Sequence, residues 1–140
     1  MKILIAADGS EHTRRTVAYV VKHLDLLGAK PEIHLIHVRP PLPGRAAAAL
    51  GPSIVRRYHS EQTRKALAAS KRILGRAKVP YKEVQMVGDA GERIATYAKK
   101  GKFSLIVLGS RGHSALGNLL LGSVASKVLA GCKVPALIIR

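Results

Sequence analysis

Five short apolar runs alternate with four segments whose apolar residues recur at helical spacing, and this alternation constrains the fold more than any other feature of the chain. Ile3 to Ala7 is continuously apolar, the mark of a strand buried on both faces. Asp8-Gly9-Ser10 breaks the run. Ser10 is placed to cap a helix, with Glu11 favourable in its first turn. Val17, Val20, Val21, Leu24 and Leu27 follow at helical period until Gly28 and Pro31 stop it. Ile33 to Val38 reads as a second strand, closed by Pro40-Pro41. Residues 40–52 read as a loop rich in Pro, Gly and Ala, in which Ala46 to Ala49 can form a turn of helix. A long basic helix is expected from about Ser53 to Lys78, with Glu61 and Lys65 as an i,i+4 pair and Pro80 as its stop. Tyr81 to Val87 is a third strand of mixed polarity. Asp89-x-x-Glu92 resembles a capping box, and Ile94, Ala95 and Ala98 form the inner face of the helix it opens. Phe103 to Leu108, a helix carrying Val124, Ala125, Val128 and Leu129, and a last strand from Val134 to Arg140 complete the pattern.

Alternation of this kind predicts an α/β domain with a five-stranded parallel sheet, helices on both faces and right-handed crossovers. The first and fourth strands are the most uniformly apolar and belong near the centre. The order 3-2-1-4-5 satisfies this. It reverses between strands 1 and 4, and a crevice at the carboxyl ends of those strands is the expected ligand site. The loops Asp8-Gly9-Ser10 and Gly109 onward both open there.

Gly109 to Ser123 reads G-S-R-G-H-S-A-L-G-N-L-L-L-G-S and joins the fourth strand to a helix. A helix start leaves N–H groups without partners and carries partial positive charge, so this junction suits an anion. Gly109, Gly112 and Gly122 are expected to reach φ > 0 and to let backbone approach a ligand without a Cβ in the way. Ser123 brings a hydroxyl that either donates to a phosphate oxygen or caps the helix. Ser110 and Val124 lie in the same loop and first turn. Arg111 adds a forked cation, and His113 either meets a phosphate or is simply exposed. Asp8 is either a turn residue before a helix or a contact for ribose, adenine or Mg2+.

The spacing Gly109, two residues, Gly112, nine residues, Gly122-Ser123 resembles the nucleotide motif of the universal stress protein family, and the likeness extends over residues 1–140 as one domain. That resemblance implies ATP as ligand, with Mg2+ through Asp8, and the strand order already reached. It also implies a nucleotide contact from Asp8 in the matching D-G-S and an adenine contact through the backbone of Val38. Ala6 and Leu108 are expected to line the same pocket. Some relatives lack the glycine motif and do not bind ATP; this chain has it. Residue 104 is Ser where the family usually has Asp, a departure that touches no nucleotide contact.

Lys and Arg total 24 against 8 Asp and Glu, a formal net charge of +16. Such a field attracts polyanions, so an acidic partner or nucleic acid is the rival reading, with only non-specific contacts expected. Aromatic residues are 4% of the chain, too few for base-stacking recognition of single strands. No Walker A motif, catalytic triad or Cys/His cluster is present. His34 and His37, three apart in a strand, point to opposite faces and make a poor metal pair. Asp8 is the clear acid near the phosphates, with Glu11 and Asp89 as its nearest candidates for company. That is too little for a fast ATPase, so a regulatory binding module with slow hydrolysis left open is the preferred function. The single Cys132, read as a small buried hydrophobe, and the absence of a signal peptide or membrane span point to the cytoplasm. The last strand is expected to pair with its copy in a homodimer through Ala136, Leu137, Ile138 and Ile139, because an apolar sheet edge invites pairing.

Overall fold

Ile3, Leu4 and Ile5 are completely buried although they alternate between the two faces of a strand, so the sheet they belong to is covered on both sides. The computed structural model describes residues 1–113 and 120–140; the part of the glycine-rich stretch at 114–119 lies outside the described residues. The strands are β1 (Lys2–Ala6), β2 (Glu32–Arg39), β3 (Tyr81–Val87), β4 (Leu105–Gly109) and β5 (Ala136–Ile139). They pair in parallel in the order β3-β2-β1-β4-β5. Register runs Lys2↔Glu32 to Ala6↔Ile36 on one side of β1, and Ile3↔Leu105 to Ile5↔Val107 on the other.

The helices are α1 (Glu11–Lys22), α2 (Gly44–Leu50), α3 (Pro52–Arg76), α4 (Ala90–Lys100) and α5 (Ser123–Gly131). Val17 and Val20 of α1 and Leu67 and Leu74 of α3 bury against Ile3, Ile5 and Leu35 on one face. Ile94 and Ala98 of α4 and Ala125 and Val128 of α5 bury against Leu4, Ile36 and Ile106 on the other. Each large aliphatic side chain so buried contributes roughly 1.5–3 kcal/mol, and the two half-cores together fix the register of the central strands.

Several local expectations change. The first helix stops at Lys22; His23 breaks the α geometry and Leu24–Leu27 continues as a 3-10 turn that ends at Gly28, φ +96°. Part of the expected loop is α2, built on the alanine run and separated from α3 by Gly51 at φ +82°. Pro52 occupies the first turn of α3, where its missing N–H costs nothing. Glu61 pairs with Arg57 at 3.2 Å, and no pair with Lys65 is present: both cations are one turn away, and the single carboxylate takes the guanidinium. Cys132 is half-buried, its Sγ accepting from the Val134 N–H at 3.5 Å.

Candidate functional site

β1 ends at Ala6 and the chain turns sharply. Ser10 caps α1 by accepting the Thr13 N–H at 3.2 Å. Asp8 locks this turn: its Oδ1 accepts from the Ser10 N–H at 2.9 Å and the Thr13 hydroxyl at 2.6 Å, and its own N–H donates to Thr13 Oγ1 at 3.1 Å. Burial alone would raise the Asp8 pKa. The hydrogen bonds from Ser10 and Thr13 and the nearby His113 outweigh it and hold the carboxyl below its usual range. Gly9 sits at φ +84°, and a Cβ there would lie 3.0 Å from the Ala66 backbone, so this turn of the chain admits only glycine.

Oδ1 is occupied by the turn, and Oδ2 has no partner among the described residues. It points at the second loop: a Cβ on Gly112 would fall 2.5 Å from Asp8 Oδ2. Turn residue and ligand contact were alternatives in the sequence; the geometry assigns Oδ1 to the turn and directs Oδ2 toward the glycine loop.

The glycine loop is held at both ends. The Ser110 N–H donates to Ile139 O at 2.7 Å, and Ser110 O accepts from the Gly122 N–H at 2.7 Å. His113 Nε2 donates to Asp8 O at 2.7 Å, which ties the loop to the end of β1 and leaves Nδ1 as the only ring nitrogen for a ligand. The expectation of φ > 0 at Gly109, Gly112 and Gly122 is overturned, because none of the three lies in the left-handed region. Close approach constrains them instead, most severely at Gly112. A Cβ at Gly109 would meet Arg111 O and His12 Cβ at 3.2 Å, and one at Gly122 would meet Ser110 O at 3.3 Å.

Gly122 is the N-cap of α5, with no side-chain cap, and Ser123 is the first helical residue. Ser123 therefore does not cap; it lines the cavity together with Val124 and Ala125, and the first N–H groups of a helix have no intrahelical partner. Asp89 caps α4 through the Glu92 N–H at 3.1 Å and binds Lys127 of α5 at 2.6 Å, which ties the start of α4 to the middle of α5. Glu11 is engaged with Arg14 and Arg15. Neither Glu11 nor Asp89 lines the cavity, where Asp8 is the only carboxylate among the described residues.

The cavity has a volume of about 600 Å³, a size that suits a small ligand. Ala6, Asp8, Val38 and Leu108 line it from the strand ends; Gly109, Ser110, Arg111, Gly112 and His113 from the loop; Gly122, Ser123 and Val124 from the start of α5. All twelve residues singled out in the sequence therefore meet in one place. Ala7, Thr13, Ile36, Pro40, Ala90, Ile94 and Ala125 complete the wall and were missed. Thr13 had a signal in its position three residues after Ser10, and Ile94 had one in its helical phase. Val38 offers main chain here. Ile36 O accepts from the Ala7 N–H at 2.9 Å, and backbone groups two residues on face the same side. Those of Val38 therefore face past the last pair of β1, Ala6↔Ile36.

His34 and His37 fall on opposite faces. His34 packs edge-on to Phe103 and bonds Tyr97 Oη at 2.9 Å and Glu32 Oε1 at 2.8 Å. His37 donates through Nδ1 to Ala7 O at 2.7 Å, and burial lowers its pKa. No helix among the described residues is long and apolar enough to cross a membrane.

This architecture has known counterparts. The chain is 32% identical over 139 residues to a universal stress protein of Thermus aquaticus encoded in the 3' region of its QAH/OAS sulfhydrylase, covering 99% of this chain and 97% of that one. Universal stress protein UspA from Lactobacillus plantarum superposes with a TM-score of 0.82 at 20% identity, over 100% of this chain and 97% of that one. The Archaeoglobus fulgidus universal stress protein in complex with dAMP gives 0.71 at 20% identity, over 100% and 98%. An Arabidopsis thaliana family member with AMP bound gives 0.68 at 16%, over 99% and 90%. A model of the universal stress protein family matches residues 1–140; with the sheet order and the two loops that meet at its switch point, this chain belongs to the universal stress protein family.

Proposed function

We propose that the cavity binds an adenine nucleotide, ATP with Mg2+ in the first instance, and that the chain acts as a regulatory stress-response module rather than a fast enzyme. The observation that carries this is the meeting of Asp8 Oδ2, the glycine loop and the start of α5 at a single cavity. One end offers N–H groups, the Ser123 hydroxyl and Arg111 to phosphates. The other offers apolar walls at Ile36, Val38, Ile94 and Leu108, with the Val38 main chain at the adenine edge. Asp8 serves the ribose or the metal. The relatives that carry dAMP and AMP support the adenine class. One carboxylate at the site favours binding over turnover, since phosphoryl transfer needs an oriented nucleophile and a held metal together.

The same reading takes residues 1–140 as one domain that works in the cytoplasm as a homodimer. β5 is an edge strand whose residues are all half-buried in the single chain, and antiparallel pairing of two such edges under a two-fold axis covers them.

Calorimetry with ATP, AMP and tripolyphosphate at low and physiological salt tests the assignment. ATP is expected to bind more tightly than tripolyphosphate at both salts, and Gly122→Arg to abolish binding in a folded protein. Equal affinity for ATP and tripolyphosphate, or unchanged affinity in Gly122→Arg, would overturn it.

A further inference from the structure

The strongest feature that the nucleotide cavity does not use is the outer face of α3. This helix is 25 residues long, or about 37 Å. Its inner stripe, His59, Thr63, Leu67, Ser70 and Leu74, is buried. At 100° per residue six of its seven cations form two rows away from that stripe, Arg57, Arg64 and Lys71 along one flank, and Lys65, Arg72 and Arg76 on the opposite side. The strip between them holds Glu61, Ala68 and Gly75. Arg57 pairs with Glu61 and Lys71 with Glu83, while Arg64, Lys65, Arg72 and Arg76 are exposed and make no ion pair among the described residues. A protein with 24 cations and 8 acids thus presents a rigid double row of charge over about 28 Å of helix, with a single acid inside it.

We propose that this face docks a nucleic-acid duplex through its phosphates, independently of the cavity. Charge complementarity points to a duplex phosphodiester backbone, which carries one negative charge per about 1.7 Å of its axis. Ile54 in the first turn of α3 is exposed, but it lies before both rows, and the exposed side chains from Arg56 to Lys78 include no aromatic and nothing apolar larger than alanine. The ridge therefore has no platform for unstacked bases, and one isoleucine at its end is too little apolar surface for a lipid-inserting face. It reads phosphate and no base edge, so binding is sequence-independent.

Four free cations predict a log–log salt slope of about −3.6 on duplex DNA, so that binding weakens roughly 150-fold between 50 and 200 mM salt. The test uses the full chain with a 20-base-pair DNA duplex, an RNA duplex of the same sequence and phosphatidylserine vesicles. Two quadruple glutamine variants carry the same charge change. One replaces Arg64, Lys65, Arg72 and Arg76. The other replaces Lys22, Lys30, Lys99 and Lys100, which are exposed and belong to other segments of the chain. Both alter exposed positions, and unchanged melting confirms that each is folded. The first variant is expected to lose most duplex affinity and most of the salt slope; the second is expected to keep both. Equal losses in the two variants would mean diffuse attraction and overturn the proposal. So would ridge-dependent binding of vesicles without binding of either duplex. ATP affinity, measured alongside, is expected to be unchanged in the ridge variant. Loss of ATP binding in every form, with duplex binding still dependent on the ridge, would end the nucleotide assignment and leave this one standing.

Discussion

Replacing Gly112 by alanine tests the site at its tightest point. The new Cβ would lie 2.5 Å from Asp8 Oδ2, and real Cβ contacts stay beyond 3.0 Å. Asp8 is a short side chain, and its other oxygen is held by Thr13 at 2.6 Å and Ser10 at 2.9 Å. It cannot swing aside without breaking the turn. Whether the carboxylate or the loop gives way, Oδ2 moves relative to the phosphate-facing loop. A nucleotide then loses a hydrogen bond to a charged group, about 1.5–3 kcal/mol, or roughly 10- to 150-fold in affinity. Calorimetry with ATP measures this, with thermal melting as the check on folding. The decisive form is a double-mutant cycle with Asp8→Ala. Asp8→Ala alone is expected to weaken binding by a similar factor. Gly112→Ala added to it is expected to cost little more, because the atom it would strike is gone. An equal penalty from Gly112→Ala in both backgrounds would refute the role given to Asp8 Oδ2.

Ser123→Ala is expected to weaken ATP binding while changing stability by no more than about 0.5 kcal/mol, because Gly122 and not Ser123 is the N-cap; a large drop in melting temperature would show that the hydroxyl supports the helix. Asp8 is held below the usual carboxylate range, so its contribution to stability is complete above its unfolded pKa, near 3.9, and is lost as pH falls through the lower folded value. Melting followed from pH 7 to pH 2 is expected to show that loss in the wild type and a flatter profile in Asp8→Asn; superimposed profiles would contradict it. Leu137→Arg combined with Ile139→Glu is expected to give a monomer by sedimentation at micromolar concentration where the wild type is a dimer; a dimer that survives both charges would place the interface elsewhere.

The sheet and its order were legible in the sequence because strands buried on both faces must be apolar throughout, and Ile3–Ala7 and Leu105–Leu108 carry that mark locally. The location of the candidate cavity was legible for a related reason. Strand order fixes the switch point, and the two loops with unusual glycine and aspartate content both open there. What each residue does in the site was decided by contacts far apart in the chain. At Gly112 sequence suggested a backbone angle where the cause is the approach of Asp8, while Gly9 has both causes, φ +84° and the Ala66 backbone 3.0 Å from where a Cβ would sit. The cap of α5 shifted by one residue because the Gly122 N–H is anchored to Ser110 O. Glu11 and Asp89, candidates for the phosphate end, were drawn into pairs with Arg14, Arg15 and Lys127, a choice set by which cations packing brought near. Asp8 kept one oxygen without a partner among the described residues because Thr13 and Ser10 both approach the other one. Periodicity reports which face of an element is buried. It carries no information on which atom of a distant element arrives there, and at a binding site that arrival is what assigns the roles.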